Sequence, residues 1–176
     1  MPKEKSNIVL VGFMGTGKTV LAKELAERTG MAYVSTDDLI EQREGRPIRD
    51  IFRDDGEAYF RKVEKEVIAE VSGKDGQVVD AGGGAVLDPV NMENLRKKGL
   101  IICLWASPRA IYERTRGHSH RPLLNVEDPE KRISELLEKR RPFYEKADFH
   151  IDTTALDIPG VIEKIEKIAD GKEEKR

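Results

Sequence analysis

The sequence predicts an α/β fold, in which a parallel β-sheet lies between two layers of helices. Short apolar runs alternate with helical patterns five times along the chain, as in folds where a crossover helix follows each strand. The first run, residues 8–11, is apolar at every position, which is typical of a strand covered on both faces. Three helices are predicted to begin where a capping side chain precedes a proline, at Asp88-Pro89, Ser107-Pro108 and Asp128-Pro129.

The remaining elements follow from local periodicity. Strands are predicted at residues 8–11, 32–34, 77–80, 100–106 and 149–152. Helices are predicted at residues 18–29, which Gly30 caps, at about 38–43, at 47–53, along the stripe of Phe60, Val63, Val67 and Val71, after each of the three prolines, and along 161–168. Cys103 lies inside the fourth strand and is expected to be a buried, unreactive side chain. We expect one domain, residues 1–176, with short charged tails at 1–6 and 171–176.

The composition excludes several classes of protein. The chain has 31 Lys and Arg against 33 Asp and Glu, a net charge of −2, so it lacks the basic excess used in non-specific nucleic-acid binding. Its apolar runs are shorter than the ~18 residues that a membrane span needs. The first apolar run leads directly into a glycine-rich loop and not into a cleavage site. We therefore expect a cytoplasmic monomer that acts on small molecules, without nucleic acid or membrane.

Residues 12–19 form a phosphate-binding loop, or P-loop. They read Gly-Phe-Met-Gly-Thr-Gly-Lys-Thr and match the pattern G-x-x-x-x-G-K-[ST]. Backbone N–H groups of such a loop point at phosphate oxygens, and the positive end of the following helix lies behind them. A chance glycine-rich turn is the alternative, but the position between an apolar strand and an amphipathic helix favours a nucleotide site. The predicted ATP-binding residues are Gly15, Thr16, Gly17, Lys18, Thr19 and Val20.

The rest of the sequence narrows the class of nucleotide enzyme. A GTPase switch usually reads guanine through Asn-Lys-x-Asp, and that tetrapeptide does not occur. A motor or AAA-type ATPase needs a larger module with a second helical domain. A small kinase that phosphorylates a small molecule remains.

Five further motifs occur in a fixed order around the P-loop. They are Thr36-Asp37, Gly56-Glu57-x-x-Phe60-Arg61, Gly82-Gly83-Gly84, Arg121-Pro122-Leu123-Leu124 and Lys139-Arg140-x-Pro142-x-Tyr144. With the P-loop, this set resembles the shikimate kinase family over nearly the whole chain. The resemblance implies a P-loop kinase fold with strand order 2-3-1-4-5, transfer of the γ-phosphate of ATP to the 3-hydroxyl of shikimate in aromatic amino acid biosynthesis, and a closing lid.

The resemblance assigns the acceptor site to a few residues. Arg61 and Arg140 would hold the carboxylate of shikimate, because a guanidinium donates paired hydrogen bonds in one plane. Asp37 would orient the ring hydroxyls, and Gly82, Gly83 and Gly84 would allow close approach to the substrate. From the pattern alone, Asp37 could instead cap a helix, Arg61 could be a solvated helix charge, and Arg140 could reach back to solvent. Arg140 does extend an apolar stripe, which favours an inward position.

The lid is predicted at about residues 115–125. The resemblance places Arg121 over the phosphates, where it would join Lys18 in neutralising charge on the transferred group; a surface arginine is the alternative. Arg114, on the helix before the lid, would pack against adenine. His118 and His120 lack a third ligand nearby and predict no metal site.

The chain departs from the family pattern at two positions. Members usually carry Asp-x-Asp after the second strand, and the first aspartate helps to hold the water shell of magnesium. Here that position is Ser35, while the third strand ends in Asp80. Our hypothesis is that Mg²⁺ binds at Thr19 and that Asp80 replaces the missing carboxylate; an aspartate held by local backbone donors is the alternative.

Two other functions remain open at this point. One is another small P-loop kinase, acting on gluconate or a nucleoside monophosphate. The other is a nucleotide-binding regulator that has lost activity.

Overall fold

The computed structural model describes residues 5–117, 124, 126–155 and 157–172. Five parallel strands form one sheet in the order β2-β3-β1-β4-β5, as predicted. The strands are β1 (Asn7–Gly12), β2 (Ala32–Ser35), β3 (Gln77–Asp80), β4 (Gly99–Trp105) and β5 (Phe149–Asp152). The carboxyl ends of β1, β2 and β3 lie side by side, which brings the P-loop next to the segments that follow the other two strands.

Seven α-helices pack around this sheet in the described part of the chain. They are α1 (Lys18–Thr29), α2 (Thr36–Glu44), α3 (Ile48–Ser72), α4 (Pro89–Lys98), α5 (Pro108–Thr115), α6 (Pro129–Tyr144) and α7 (Ile158–Ala169). The two helices predicted at 47–53 and along the Phe60 stripe are the two segments of α3, which meet at a kink. The chain bends there at Gly56, whose φ of 84° and ψ of 172° are not helical.

Side-chain caps fix several helix starts. Asp88, Ser107 and Asp128 accept backbone hydrogen bonds at 2.9, 3.1 and 3.2 Å at the beginnings of α4, α5 and α6, as predicted. The start of α2 differs from the prediction of about residue 38, because Ser35 Oγ accepts a hydrogen bond from the Asp38 N–H at 3.2 Å. Asp37 therefore lies in the first turn of α2 and is not its cap.

The core has two parts, one on each face of the sheet. One part packs residues such as Val9, Val11 and Cys103 against α2 to α6, and the other packs Ile8 and Leu10 against α1 and α7. This arrangement confirms the three-layer α/β sandwich. Cys103 is fully buried, and burial raises the pKa of its thiol to about 12, so its prediction as a structural residue is confirmed. Among the described residues, no helix is long and apolar enough to cross a membrane.

Candidate active site

The P-loop connects β1 to α1 in a conformation that requires glycine. Gly12 has a φ of 142°, and a Cβ at this position would overlap the Leu104 carbonyl of the neighbouring strand. Gly17 has a φ of 98° and is the N-cap of α1, so no side chain caps the first N–H groups of this helix. The amino end of α1 therefore presents backbone N–H groups and the positive end of its dipole to the loop, which suits a bound phosphate.

Two polar side chains of the loop bond to its own backbone. Thr16 is buried, and its hydroxyl donates to the Phe13 carbonyl at 2.8 Å. Lys18 is 9% exposed, and its ammonium donates to the Gly12 and Phe13 carbonyls at 2.8 and 3.0 Å. The loop thus holds a positive charge among its own carbonyls. Val20 lies on α1 and is exposed.

Residues from α5 and from the segment after β5 brace the P-loop. The Arg114 guanidinium donates to the Gly15 carbonyl at 3.1 Å and to the Thr154 carbonyl at 2.8 Å. The Thr153 hydroxyl donates to the Thr16 carbonyl at 2.6 Å. Arg114 is thus a structural brace of the loop here, and its predicted contact with adenine stays a prediction.

Asp80 lies at the mouth of the P-loop, beside α1. Its Oδ2 accepts hydrogen bonds from the Thr19 hydroxyl at 2.7 Å and from the Tyr33 hydroxyl at 3.2 Å. Ser35 is its register partner on β2. Burial, with Asp80 as a further cause, raises the pKa of Tyr33 to about 12, so Tyr33 stays a donor to Asp80 over the physiological range. The side chains predicted for a metal site are therefore adjacent.

Residues 82–84, here called the glycine turn, follow β3 and contact α2. The Gly82 N–H donates to the Thr36 hydroxyl at 2.9 Å. A Cβ at Gly82 would lie 2.7 Å from Asp37 Oδ1 and 3.0 Å from Glu64 Oε2. The missing side chain therefore lets the Asp37 carboxylate approach the backbone of the turn.

Arg61 contacts the last glycine of the turn. A Cβ at Gly84 would overlap the Arg61 guanidinium. The guanidinium is held by Glu64 at 2.9 Å and by Glu57 at 3.2 Å, and it lies 5.1 Å from the centre of the Phe60 ring. These contacts orient Arg61 along the turn, so it is not a freely solvated helix charge.

Arg140 reaches the same turn from α6. It is 6% exposed, which confirms the predicted inward position. Its guanidinium lies 5.4 Å from the centre of the Phe13 ring, and Nη1 lies 3.7 Å from the Cβ position of Gly83. That same Cβ position is 3.5 Å from the Met14 N–H nitrogen in the P-loop. The glycine turn is thus the point where the two arginines, Asp37 and the P-loop meet.

The sequence reading missed Glu64. This carboxylate is buried, and its Oε2 has no hydrogen-bond partner among the described residues. Burial raises the pKa of Glu64, while Arg61 and Arg140 lower it by smaller amounts. The signal was present in the sequence, since Glu64 continues the apolar stripe of Phe60 and Val67 at helical spacing.

The predicted lid falls largely outside the described residues. Arg121, His118 and His120 lie there, so the role of Arg121 stays a prediction. The lid was expected to begin at about residue 115, but Thr115 is the last residue of α5 and is buried, with its hydroxyl donating to the Ile111 carbonyl at 2.7 Å.

Comparison with known proteins identifies the family. The sequence profile described as shikimate kinase matches residues 14–170. The chain belongs to the shikimate kinase family. A shikimate kinase from Thermodesulfovibrio yellowstonii is 49% identical over 170 residues, which are 94% of this chain and 98% of that protein.

Solved structures agree with this membership. The structure of shikimate kinase from Acinetobacter baumannii in complex with shikimate is 34% identical, with a TM-score of 0.91 over 96% of this chain and 94% of that one. A gluconokinase from Sinorhizobium meliloti is 18% identical, with a TM-score of 0.59 over 96% and 97%, which shows a shared fold alone. The comparisons therefore favour a shikimate kinase over the gluconate alternative.

Proposed function

We propose that this chain transfers the γ-phosphate of ATP to the 3-hydroxyl of shikimate through the residues gathered at the glycine turn. The observation that carries the proposal is the convergence of Asp37, Arg61 and Arg140 on residues 82–84, next to the P-loop. Two cations and one anion suit a ring acid that carries several hydroxyls. We call the space around these three side chains the shikimate slot.

Shikimate is expected to bind through its carboxylate. Arg61 and Arg140 lie against neighbouring glycines of the turn, so both guanidiniums can donate to the same small anion. Bidentate, charge-assisted hydrogen bonds of this kind fix the orientation of a ligand as well as its affinity. With the carboxylate held, Asp37 accepts hydrogen bonds from ring hydroxyls and orients the attacking one.

ATP is expected to bind with its phosphates on the P-loop. Gly15, Thr16, Gly17 and Thr19 contribute backbone N–H groups at the amino end of α1, and Val20 continues this first turn. Lys18 exchanges its contacts with the loop carbonyls for the β- and γ-phosphates. Arg121, from the lid at about residues 115–125, adds a second positive charge as the phosphoryl group moves.

The side chains near Thr19 suit Mg²⁺. The Thr19 hydroxyl and the Asp80 carboxylate supply adjacent oxygens, 2.7 Å apart, and Mg²⁺ is usually bound by one or two such groups together with phosphates and water. When bound, the ion supplies charge neutralisation at the phosphates. Thr19 would hold it directly, and Asp80 would accept hydrogen bonds from its water shell.

Most of the rate enhancement is expected to come from alignment of the attacking hydroxyl with the γ-phosphate. Phosphoryl transfer passes through a loose transition state, so orientation of the attacking oxygen contributes more than its early deprotonation. Asp37 therefore acts mainly by orienting the hydroxyl, and it takes the proton late in the step.

We also propose that the chain works as one domain and as a monomer.

A coupled ADP-release assay tests this function. With ATP and Mg²⁺, ADP release should depend on shikimate and should stay at background with gluconate or AMP. Loss of the shikimate response in Arg61→Ala, with the folded state retained, would locate the acceptor at this slot. An equal response to gluconate or AMP, or turnover that Arg61→Ala leaves unchanged, would contradict the proposal.

A further inference from the structure

Tyr144 is the last residue of α6 and lies one helical turn after Arg140. It is fully buried, and its ring packs edge-on against Trp105, with ring centres 5.6 Å apart and planes at 81°. A tyrosine whose hydroxyl is buried nearly always has a hydrogen-bond partner. The partners of this hydroxyl therefore indicate what the residue does.

The surroundings of this hydroxyl belong to the shikimate slot. The Tyr144 hydroxyl donates to the Gly83 carbonyl at 2.7 Å, and the Arg140 guanidinium lies near enough to lower its pKa. Burial has the larger effect and raises the pKa of Tyr144 to about 12, so the hydroxyl remains a donor at any ordinary assay pH. The hydroxyl thus binds the backbone of the glycine turn beside the arginine of α6, whose Nη1 lies 3.7 Å from the Cβ position of Gly83.

We propose that Tyr144 is a positioning residue for shikimate, whose hydroxyl holds the glycine turn in place beside Arg140. The inference rests on the proposed function, because it concerns the same slot. An arginine side chain has many rotamers, and fixing it before the ligand arrives lowers the entropic cost of binding. Holding the Gly83 carbonyl also fixes the following peptide, which leads to the glycine packed on Arg61.

Loss of the Tyr144 hydroxyl should affect the binding of shikimate and not the binding of ATP. Tyr144 bonds to the glycine turn of the shikimate slot, whereas the described side chains from outside the P-loop that bond to its backbone are Arg114 and Thr153. Loss of the hydroxyl should therefore weaken shikimate binding and leave ATP binding nearly unchanged. A purely structural role would lower stability without this difference between the substrates.

Tyr144→Phe tests the proposal, because phenylalanine keeps the ring and removes only the hydroxyl. We expect the KM for shikimate to rise about fivefold to tenfold, as for the loss of a buried hydrogen bond that leaves its acceptor unpaired. The KM for ATP and kcat should change less than twofold, and Tm should fall by about 2–4 °C. Tyr112→Phe is the matched control: Tyr112 is a half-buried tyrosine on α5 whose ring faces Arg109 at 5.7 Å, and both KM values should stay unchanged.

A second comparison separates positioning from stability. In an Arg140→Ala background, adding Tyr144→Phe should raise the KM for shikimate by less than about twofold, because the group that the hydroxyl positions is gone. An unchanged KM for shikimate in the single variant, equal rises for both substrates, or the same factor in both backgrounds would overturn the proposal. Shikimate turnover by the unmodified enzyme tests the proposed function separately.

Discussion

Asp80 lies directly beside Ser35 in the pairing of β3 with β2, and its carboxylate accepts a hydrogen bond from the Thr19 hydroxyl. The resemblance described above implies an aspartate in other family members where this chain has Ser35. Because neighbouring strands are about 4.8 Å apart, a carboxylate on β3 can reach much of the space that one on β2 would reach. We therefore expect Asp80 to take the place of that aspartate.

Asp80→Asn should weaken the binding of Mg²⁺ to the enzyme. Removal of the charge should raise the Mg²⁺ concentration needed for half-maximal turnover by about tenfold, as for loss of a charge-assisted contact. Titration of the ADP complex with Mg²⁺ by calorimetry should show the same shift in affinity without any turnover.

A second substitution provides the control for Asp80. Ser35→Asp added to Asp80→Asn should restore most of the Mg²⁺ affinity, because it supplies a carboxylate again on the neighbouring strand. The start of α2 should stay intact, since aspartate caps a helix as well as serine does. A metal affinity that neither variant changes would show that Asp80 is held for local structural reasons alone.

Arg140→Lys should raise the KM for shikimate by about tenfold to a hundredfold, while the KM for ATP stays within twofold. Lysine keeps the charge but loses the planar pair of donors. The neighbouring Arg141 is mostly exposed and pairs with Glu138, so Arg141→Lys should leave both constants unchanged. Equal effects of the two substitutions on steady-state kinetics would contradict the proposed role of Arg140.

Gly84→Ala should raise the KM for shikimate by about tenfold, because a Cβ would displace the Arg61 guanidinium that packs on this glycine. Gly73→Ala is the control, since Gly73 has a φ of −78° and a Cβ there would make only an ordinary contact, 3.4 Å from the Glu70 carbonyl. Steady-state kinetics of both variants checks this. Normal shikimate kinetics in Gly84→Ala would show that the position of Arg61 does not control binding.

The stability of Glu64→Gln relative to wild type should increase as the pH rises. Burial raises the pKa of Glu64, so the folded state favours the protonated carboxyl. The stability cost of ionising it is absent below the ordinary Glu value and grows as the pH rises through the raised pKa. Glutamine avoids this cost, so the Tm of the variant relative to wild type should increase as the pH rises above the ordinary Glu value, about 4.3.

Glu57→Gln is the control for this pH series, because Glu57 also contacts Arg61 but is exposed. Its Tm difference from wild type should depend on pH less than that of Glu64→Gln, because an exposed carboxylate loses little hydration on folding. A constant difference for Glu64→Gln as well would contradict the effect of burial.

The sequence predicted the sheet and its elements well because strand and helix periodicities alternate cleanly. The two segments of α3, which meet at the kink at Gly56, were also predicted as separate helices. The start of α2 was placed too late, because Ser35 caps a helix in which Asp37 was a competing candidate. This error arises where several polar residues could serve as a cap.

For the site, the sequence predicted Asp37, Arg61 and Arg140, but neither Glu64 nor the contacts that hold these side chains. The inward position of Arg140 followed from its place on an apolar stripe, and burial confirms it. The contact of Arg61 with Glu64 is a local i,i+3 pair on α3, but its contact with Gly84 joins segments that are distant in the sequence, and no local pattern shows that these groups meet. The bond from Tyr144 to Gly83 spans 61 residues for the same reason.

A crystal structure of this chain with ADP and shikimate tests the central claim most directly. We predict that the shikimate carboxylate contacts both Arg61 and Arg140, and that a ring hydroxyl contacts Asp37 on the side facing the P-loop. Shikimate bound elsewhere, or held in the slot with its carboxylate away from both guanidiniums, would contradict the account.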